Sequence, residues 1–207
     1  MKKNSTAMAA IALGAALCTP MAMAAEPDAW IVKVGVHEVD PKSNNGSLAG
    51  GTLAADVSSN VRPTITGEYL FTPNWGIEVL ASLPWQHDVK LNGVKAATVK
   101  QLPPTISAQY HFNPDGTVSP FVGIGLNATL FFSEHTTGPL AGTKLSLSDT
   151  FGPALHAGLD FRVDSRWLVS LDVRWMKIDP SVKVNGAKVG TVHIDPIAYG
   201  FSVGYRF

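Results

Sequence analysis

Hydrophobic and polar residues alternate with period two along most of the chain. In the C-terminal segment 197–207, every second residue is Ile, Tyr, Phe or Val, and Ala, Gly, Ser and Arg lie between them. Alternation of this kind is typical of a β-strand with one apolar face. Eight segments show it and are predicted as strands: 29–39, 62–71, 75–88, 104–112, 122–130, 155–161, 167–175 and 197–207.

The connections between these strands alternate in length. Three are tight turns rich in Pro, Asn, Asp and Gly, at 72–74, 113–117 and 164–166. The others are long, at 40–61, 89–97, 133–148 and 179–190. Short turns at one end and long loops at the other are typical of outer-membrane barrels, whose short turns face the periplasm. Both ends of the barrel domain are therefore predicted on the periplasmic side.

Aromatic residues are expected to form two girdles at the membrane interfaces. The predicted periplasmic ends of the strands carry one set: Trp30, Phe71, Trp75, Tyr110, Phe112, Phe121, Phe161, Trp167, Tyr205 and Phe207. The opposite ends carry the other: Trp85, Phe132, Phe151, Trp175 and Tyr199.

The composition of the two strand faces indicates which one points outward. The apolar faces are larger than a narrow barrel could enclose, whereas the polar faces are rich in Gly, Ser, Thr and Asn, which suits a tight interior. The sequence therefore predicts an all-β fold, an eight-stranded antiparallel transmembrane β-barrel. A secreted soluble barrel or sandwich is the alternative.

The N-terminus has the pattern of an export signal. Residues 1–24 combine a basic start, an apolar stretch at 7–17 and the small residues Ala22 and Ala24, so we expect a cleaved signal peptide and one barrel domain at 25–207. Cleavage after Ala24 is expected, with Ala25 as the alternative. It removes two of the 16 basic residues against 16 acidic ones, giving a net charge of −2, and also the only cysteine, Cys18. This charge gives no reason to expect a nucleic-acid partner.

Several stretches resemble the OmpW family of small outer-membrane barrels. They are NWGIEVLASLPWQHDV at 74–89, LPPTISAQYHF at 102–112, PFVGIGLNATLFF at 120–132 and DPIAYGFSVGYRF at 195–207. The resemblance implies an eight-stranded barrel in the outer membrane with a hydrophobic lumen, proposed to pass small apolar molecules. The terminal Tyr205 and Phe207 resemble the signal read by the barrel-assembly machinery. Arg174 departs from the family, in which an aromatic residue is expected at that inward position.

Inward residues change character with height in the predicted barrel. Near the periplasmic end they are polar and are expected to pair and plug the narrow bore: Lys33, Glu68, Glu78, Gln109, Asp160, Arg162 and Arg206. Nearer the outside they are apolar: Val39, Leu80, Val99, Pro103, Phe131, Met176 and Ile194. The sequence thus predicts an apolar funnel that is open to the exterior and closed below.

Prolines suggest how a solute could leave such a funnel. Pro84, Pro103, Pro104, Pro153 and Pro196 fall in the outer halves of predicted strands, and each lacks a backbone donor for the ladder. We expect a lateral gap near Pro84 and Pro103-Pro104, through which apolar solutes reach the outer leaflet. The competing interpretation is that these prolines only end strands that emerge from the membrane.

Catalytic and metal sites are not indicated. His156 and Asp160 share the lumen face, but four residues along a strand separate them by about 13 Å, too far for a direct pair. The six histidines lack metal-ligand spacing, and no cysteine remains after cleavage, so no cofactor is expected.

Two functions remain open at this point. One is a channel for small hydrophobic solutes, and the other is a closed structural or adhesive barrel whose loops act as a receptor or interaction surface. In both, outer-membrane lipids and the barrel-assembly machinery are the expected partners.

Overall fold

The computed structural model describes residues 29–207; the predicted signal peptide lies outside the described residues. The described chain forms strands and two short 3₁₀ turns, Ala49–Gly51 and Gly138–Leu140. The strands are β1 (Ala29–Asp40), β2 (Ser47–Leu48), β3 (Leu53–Val57), β4 (Asn60–Leu70), β5 (Trp75–Ser82), β6 (Trp85–Leu91), β7 (Val94–Leu102), β8 (Thr105–His111), β9 (Val118–Thr136), β10 (Leu145–Leu147), β11 (Thr150–Arg162), β12 (Trp167–Met176), β13 (Ser181–Val184), β14 (Ala187–Thr191) and β15 (Ile197–Arg206).

Within residues 29–207, no helix is long and apolar enough to cross a membrane.

Eight of the strands close into a barrel. Antiparallel ladders join them in the order β1, β4, β5, β8, β9, β11, β12 and β15, and β15 pairs back with β1. Closure leaves no open sheet edge among these eight strands, as a membrane interior requires. The predicted all-β, eight-stranded antiparallel β-barrel is confirmed.

Side chains alternate between a lipid-facing surface and a filled interior. On β15, Phe201 is 50% exposed whereas the next residue, Ser202, is 5% exposed, and the other barrel strands repeat this pattern. The exposed residues form a continuous apolar belt of Val, Ile, Leu and aromatic side chains. A water-soluble barrel would place these side chains inside, so the soluble alternative is wrong.

Two predictions about the third predicted strand, 75–88, need correction. The segment 75–88 is not one strand, because β5 ends at Ser82 and β6 begins at Trp85 after Leu83 and Pro84. The inward positions are even-numbered in β5 and odd-numbered in β6, since the proline kink shifts the pleat by one residue. Trp85 is therefore 1% exposed inside the protein and does not belong to the outer aromatic girdle.

The prediction that Phe121 belongs to the periplasmic aromatic girdle is also wrong. It precedes the lipid-facing Val122 on β9 and so points into the lumen, where it is buried. Lys33 Nζ lies 4.8 Å from the centre of its ring. The aromatic residue therefore fills the bore instead of anchoring the barrel in the interface.

The long connections contain ordered strands that continue the barrel on the extracellular side. The segment 89–97, expected as a loop, forms the central half of the β6–β7 hairpin, and β13 and β14 form a second hairpin that β10 joins. The two hairpins have similar sequences, VKLNGVKAATVK at 89–100 and VKVNGAKVGTVH at 182–193. Each turns at an Asn-Gly pair whose residues both have positive φ, the pairing favoured in tight hairpin turns.

Substituting arginine for a residue on the lipid-facing surface tests which side chains of the barrel strands point into the membrane. We expect Phe201→Arg, near the middle of β15, to lower the free energy of unfolding by about 2–4 kcal/mol, because the charge enters hydrocarbon. Ile197→Arg, at the outer end of the same strand, is the matched control and should cost about 0–1 kcal/mol. Urea unfolding in phospholipid vesicles measures both, and equal costs would contradict the orientation.

Candidate functional site

Paired polar side chains fill the part of the barrel interior nearer the periplasmic end, called the lower lumen below. Lys33 Nζ lies 3.0 Å from Asp160 Oδ1, and the Ser170 hydroxyl donates to the same carboxylate at 2.6 Å. Next to this pair, His111 Nε2 lies 2.8 Å from Glu68 Oε1 and 3.0 Å from the Gln109 amide nitrogen, and His111 Nδ1 lies 4.0 Å from Asp160 Oδ2. Strands β1, β4, β8, β11 and β12 each contribute to these contacts, which connect opposite walls of the barrel.

Arg174 is the centre of a second polar layer. Its guanidinium donates to Glu78 Oε1 at 2.7 Å and to Asp172 Oδ2 at 2.5 Å, and its Nη1 lies 3.2 Å from His156 Nδ1. Asp172 in turn lies 3.2 Å from His37 Nε2. The arginine that the family resemblance marked as a departure thus crosslinks β5, β11 and β12 inside the barrel.

The seven residues predicted to plug the bore fall into two groups in the structure. Lys33, Glu68, Glu78, Gln109 and Asp160 are fully buried members of these contacts. Arg162 and Arg206 are only partly buried and line a shallow recess at the periplasmic mouth. His156 and Arg174, predicted to point inward but not to belong to the plug, are members of the polar layers. Three further members were not predicted, although their inward parity could have identified them: His37, His111 and Asp172.

Above the charged layers lies a neutral hydrogen-bonded layer. The Asn127 amide donates to the Pro103 carbonyl at 3.1 Å and to the Thr105 hydroxyl at 2.9 Å, and the Thr129 hydroxyl donates to Asn127. Met176 lies against Asn127 and Thr105. This layer separates the charges from the apolar side chains nearer the exterior.

An apolar cavity of about 180 Å³ opens above these layers. It is somewhat larger than the roughly 150 Å³ engineered cavity that stays dry and binds benzene in another protein. Of the residues predicted to line the funnel, Val99, Phe131 and Ile194 line this cavity. Val39 and Met176 pack in the same hydrophobic cluster beneath it, whereas Leu80 and Pro103 are buried without lining it.

Much of the cavity wall comes from segments that were predicted as loops. The two similar hairpins contribute matching side chains, including Val89 and Val99 from one and Val182 and Val192 from the other. Short strands in a long connection carry too little alternation to be recognised in the sequence. The Asn-Gly turns and the repeated hairpin pattern are the signals that could have revealed these walls.

His87 and Gln101 are the polar exceptions among the lining side chains of this cavity. His87 Nδ1 lies 2.5 Å from the Ser58 carbonyl oxygen, and its Nε2 lies 3.0 Å from the Gln101 amide nitrogen. Burial lowers the pKa of His87 below its ordinary 6.5, the hydrogen bond to Ser58 partly opposes this, and the nearby Arg62 adds to it. The ring is therefore neutral at pH 7.

The ladder between the third and fourth barrel strands is interrupted beside this cavity. Pairing of β5 with β8 ends at Leu80–Thr105, and pairing of β6 with β7 begins at Trp85–Gln101. No ladder pair joins 81–84 to 102–104, a stretch that the structure describes in full. Pro84, Pro103 and Pro104 all lie in this interruption. The Pro104 carbonyl still accepts from Ala128, so the chain remains attached to β9.

Of the other two prolines of the predicted set, Pro153 lies where the ladder continues, and Pro196 lies one residue outside it, directly before β15. Pro153 is paired with Leu126 in the β11–β9 ladder, and its carbonyl accepts from Lys177. The Pro196 carbonyl accepts from Met176. The interruption is thus specific to the β5–β8 side of the barrel.

Asp179, His193 and Asp195 form the one cluster with metal-ligand geometry that residues 29–207 contain. Lys42 and Lys177 both contact Asp195, at 2.7 and 3.0 Å, and Lys177 also contacts Asp179. Although burial opposes it, hydrogen bonds from the two lysines lower the pKa of Asp195. The ammonium groups already neutralise the carboxylates, so the cluster is better described as an ion-pair network that ties the first long connection to the β13–β14 hairpin.

Comparisons with known proteins agree with this architecture. The family model described as "OmpW family" matches residues 28–207. The chain is 35% identical to outer membrane protein W of Salmonella typhimurium over all of both chains. Among solved structures, it is similar to OprG of Pseudomonas aeruginosa, with 30% identity, a TM-score of 0.78 and coverage of 88% of this chain and 97% of that one. It is also similar to E. coli outer membrane protein W, with 35% identity, a TM-score of 0.63 and coverage of 90% and 100%.

Removing Arg174 should destabilise the barrel strongly. We expect Arg174→Leu to lower the free energy of unfolding by about 3–5 kcal/mol, because Glu78 and Asp172 lose their buried partner. The double variant Arg174→Leu/Glu78→Leu should recover part of this loss, since one unpaired charge is also removed. Urea unfolding in phospholipid vesicles measures both, and a double variant less stable than the single one would contradict this view of the layer.

The neutral state of His87 makes the β6–β7 hairpin sensitive to acid. A lowered pKa means that the opened hairpin takes up a proton more readily than the closed one, so stability is complete above pH 6.5 and falls as the pH drops below it. Hydrogen–deuterium exchange of β6 and β7 amides should therefore accelerate below pH 6.5, after correction for intrinsic exchange. The difference from His87→Gln isolates this residue from His135 and His193, and equal pH profiles for the two proteins would refute the assignment.

Proposed function

From the premise that the chain belongs to the OmpW family of outer-membrane barrels, we propose that it is a channel for small hydrophobic molecules. The solute enters the apolar cavity from the outside and leaves sideways into the outer leaflet. The observation that carries this proposal is the position of the interrupted ladder, which adjoins an apolar cavity that has closed polar layers beneath it.

The polar layers make straight passage unfavourable for an apolar solute. A solute moving toward the periplasm would have to separate Arg174 from Glu78 and Lys33 from Asp160, all of them buried. Separated charges in a buried site lose their compensation, and an apolar solute offers no hydrogen bonds in return. The cavity therefore has a floor that hydrophobic molecules do not cross.

The interrupted ladder supplies the alternative route. Pro103 and Pro104 have no N–H to donate, and the segment 81–84 runs opposite them without ladder pairs. Opening the wall here breaks fewer hydrogen bonds than opening it between any two strands with a continuous ladder. Leu83, which is exposed on the outer surface at this point, offers an apolar contact to lipid.

The exposed aromatic residues at the C-terminus suit a signal for assembly of the barrel into the membrane. Tyr205 and Phe207 face outward at the periplasmic end, with ring centres 4.9 Å apart, and Phe207 is largely exposed. We propose that this accessible aromatic pair is read by the barrel-assembly machinery.

Uptake by whole cells tests the channel. Cells with the protein should gain uptake of an apolar solute over cells without it, and should gain none for a polar solute of similar size. Gain for both solutes would contradict the closed floor. Gain for neither would favour the closed barrel, whose extracellular loops would then be the functional part.

Proline substitutions test the lateral route. Restoring backbone donors with Pro84→Val/Pro104→Val should reduce apolar uptake, because the ladder can extend across the interruption. Pro153→Val is the matched control, since Pro153 already lies within a continuous ladder, and its uptake should stay at the wild-type level. Unchanged uptake in the double variant, with normal amounts of folded barrel, would rule out the gap as the exit.

A further inference from the structure

The cavity contains one side chain whose hydrogen-bonding capacity is incomplete. Gln101 is 1% exposed, lines the otherwise apolar cavity and has a side-chain carbonyl oxygen with no hydrogen-bond partner. The oxygen itself is covered by its neighbours. Buried polar atoms in proteins are nearly always paired, so such an atom in the wall of a ligand-sized cavity calls for an explanation.

The hydrogen bonds of His87 determine which end of the amide is unpaired. The Ser58 carbonyl can only accept, so His87 Nδ1 carries the proton. The neutral ring then has an acceptor at Nε2, and the Gln101 amide nitrogen donates to it at 3.0 Å. This arrangement holds the amide in one orientation and leaves its carbonyl oxygen as an acceptor without a donor.

A second unpaired group stands beside the first. Trp85 is directly opposite Gln101 in the β6–β7 ladder, and residues directly opposite each other share a face. The Trp85 indole N–H is buried and also lacks a hydrogen-bond partner. One acceptor and one donor are therefore unsatisfied on neighbouring side chains. Of the two side chains only Gln101 lines the cavity, and a hydroxyl group is the simplest ligand function that can donate to its carbonyl oxygen.

We propose that Gln101 is a specificity residue of the cavity, which prefers alcohols and phenols over hydrocarbons of the same size. The apolar body of the ligand contacts the valines and leucines of the two hairpins, and its hydroxyl donates to the Gln101 carbonyl oxygen once the Gln101 side chain shifts to expose that oxygen. This inference rests on the proposed function, because it assigns a ligand class to the same cavity. His87 acts through Gln101 as a positioning residue.

Two size-matched ligands test the proposal. In 4-methylphenol a hydroxyl replaces one methyl group of p-xylene, so the pair differs in hydrogen bonding more than in shape. Binding of each is measured by equilibrium dialysis with the mature chain in phospholipid nanodiscs. The ratio of the dissociation constants of variant and wild type removes the contribution of partitioning into the bilayer.

Gln101→Leu should weaken binding of 4-methylphenol about three- to tenfold, the equivalent of one net hydrogen bond, and change that of p-xylene less than twofold. Gln86→Leu is the matched control, because Gln86 is exposed on the outward face of β6, and it should change neither. In the wild type, the side-chain ¹³C carbonyl resonance of Gln101 should shift with 4-methylphenol and not with p-xylene. This readout does not depend on how the variant folds.

The outcomes separate the two proposals. If p-xylene binds but Gln101→Leu weakens both ligands equally or neither, the specificity role is refuted and the hydrophobic channel stands. If neither ligand binds the wild type, the cavity is not a solute site and both proposals fail.

Discussion

Closure of eight strands around a bore that must be filled is the constraint on which the rest of this structure depends. Lipid leaves no water to satisfy the outer backbone, so the ladder has to close, and eight strands leave an interior only as wide as the side chains within it. Polar side chains in that interior must find partners across the bore. Arg174 with Glu78 and Asp172, and Lys33 with Asp160, are the result.

The same constraint is relaxed once the strands leave the membrane. At Pro84 the pleat shifts by one residue, and Trp85 turns inward where the preceding pattern would place it in lipid. The extracellular hairpins then bend over the bore and bury apolar side chains against one another. The apolar cavity thus lies directly above the filled polar layers of the lumen. The boundary between them coincides with the interruption of the ladder.

This arrangement differs from that of a simple pore, because three parts of the barrel have separate roles. In the proposed channel, the lower lumen contributes rigidity and a floor, the cavity contributes affinity for apolar molecules, and the interrupted ladder contributes an exit at low cost in hydrogen bonds. The proposed specificity role assigns selectivity to the His87–Gln101 pair, which holds one unpaired acceptor in a wall that is otherwise apolar. In these proposals, affinity and selectivity come from different side chains of the same cavity.

The sequence by itself determined the barrel, the strand face that meets lipid and most inward positions of its spanning strands, because strand periodicity is local and one face must meet lipid. Alternation identified Lys33, Glu78 and Asp160 as inward polar residues. It could not identify their partners, since Lys33 and Asp160 are 127 residues apart and meet only when the barrel closes. It also misplaced Trp85 and Phe121, because a proline kink and the choice between two faces of a strand end are settled by packing. The cavity between the two hairpins and the unpaired carbonyl of Gln101 exist only in the tertiary structure, where segments distant in sequence enclose a space together.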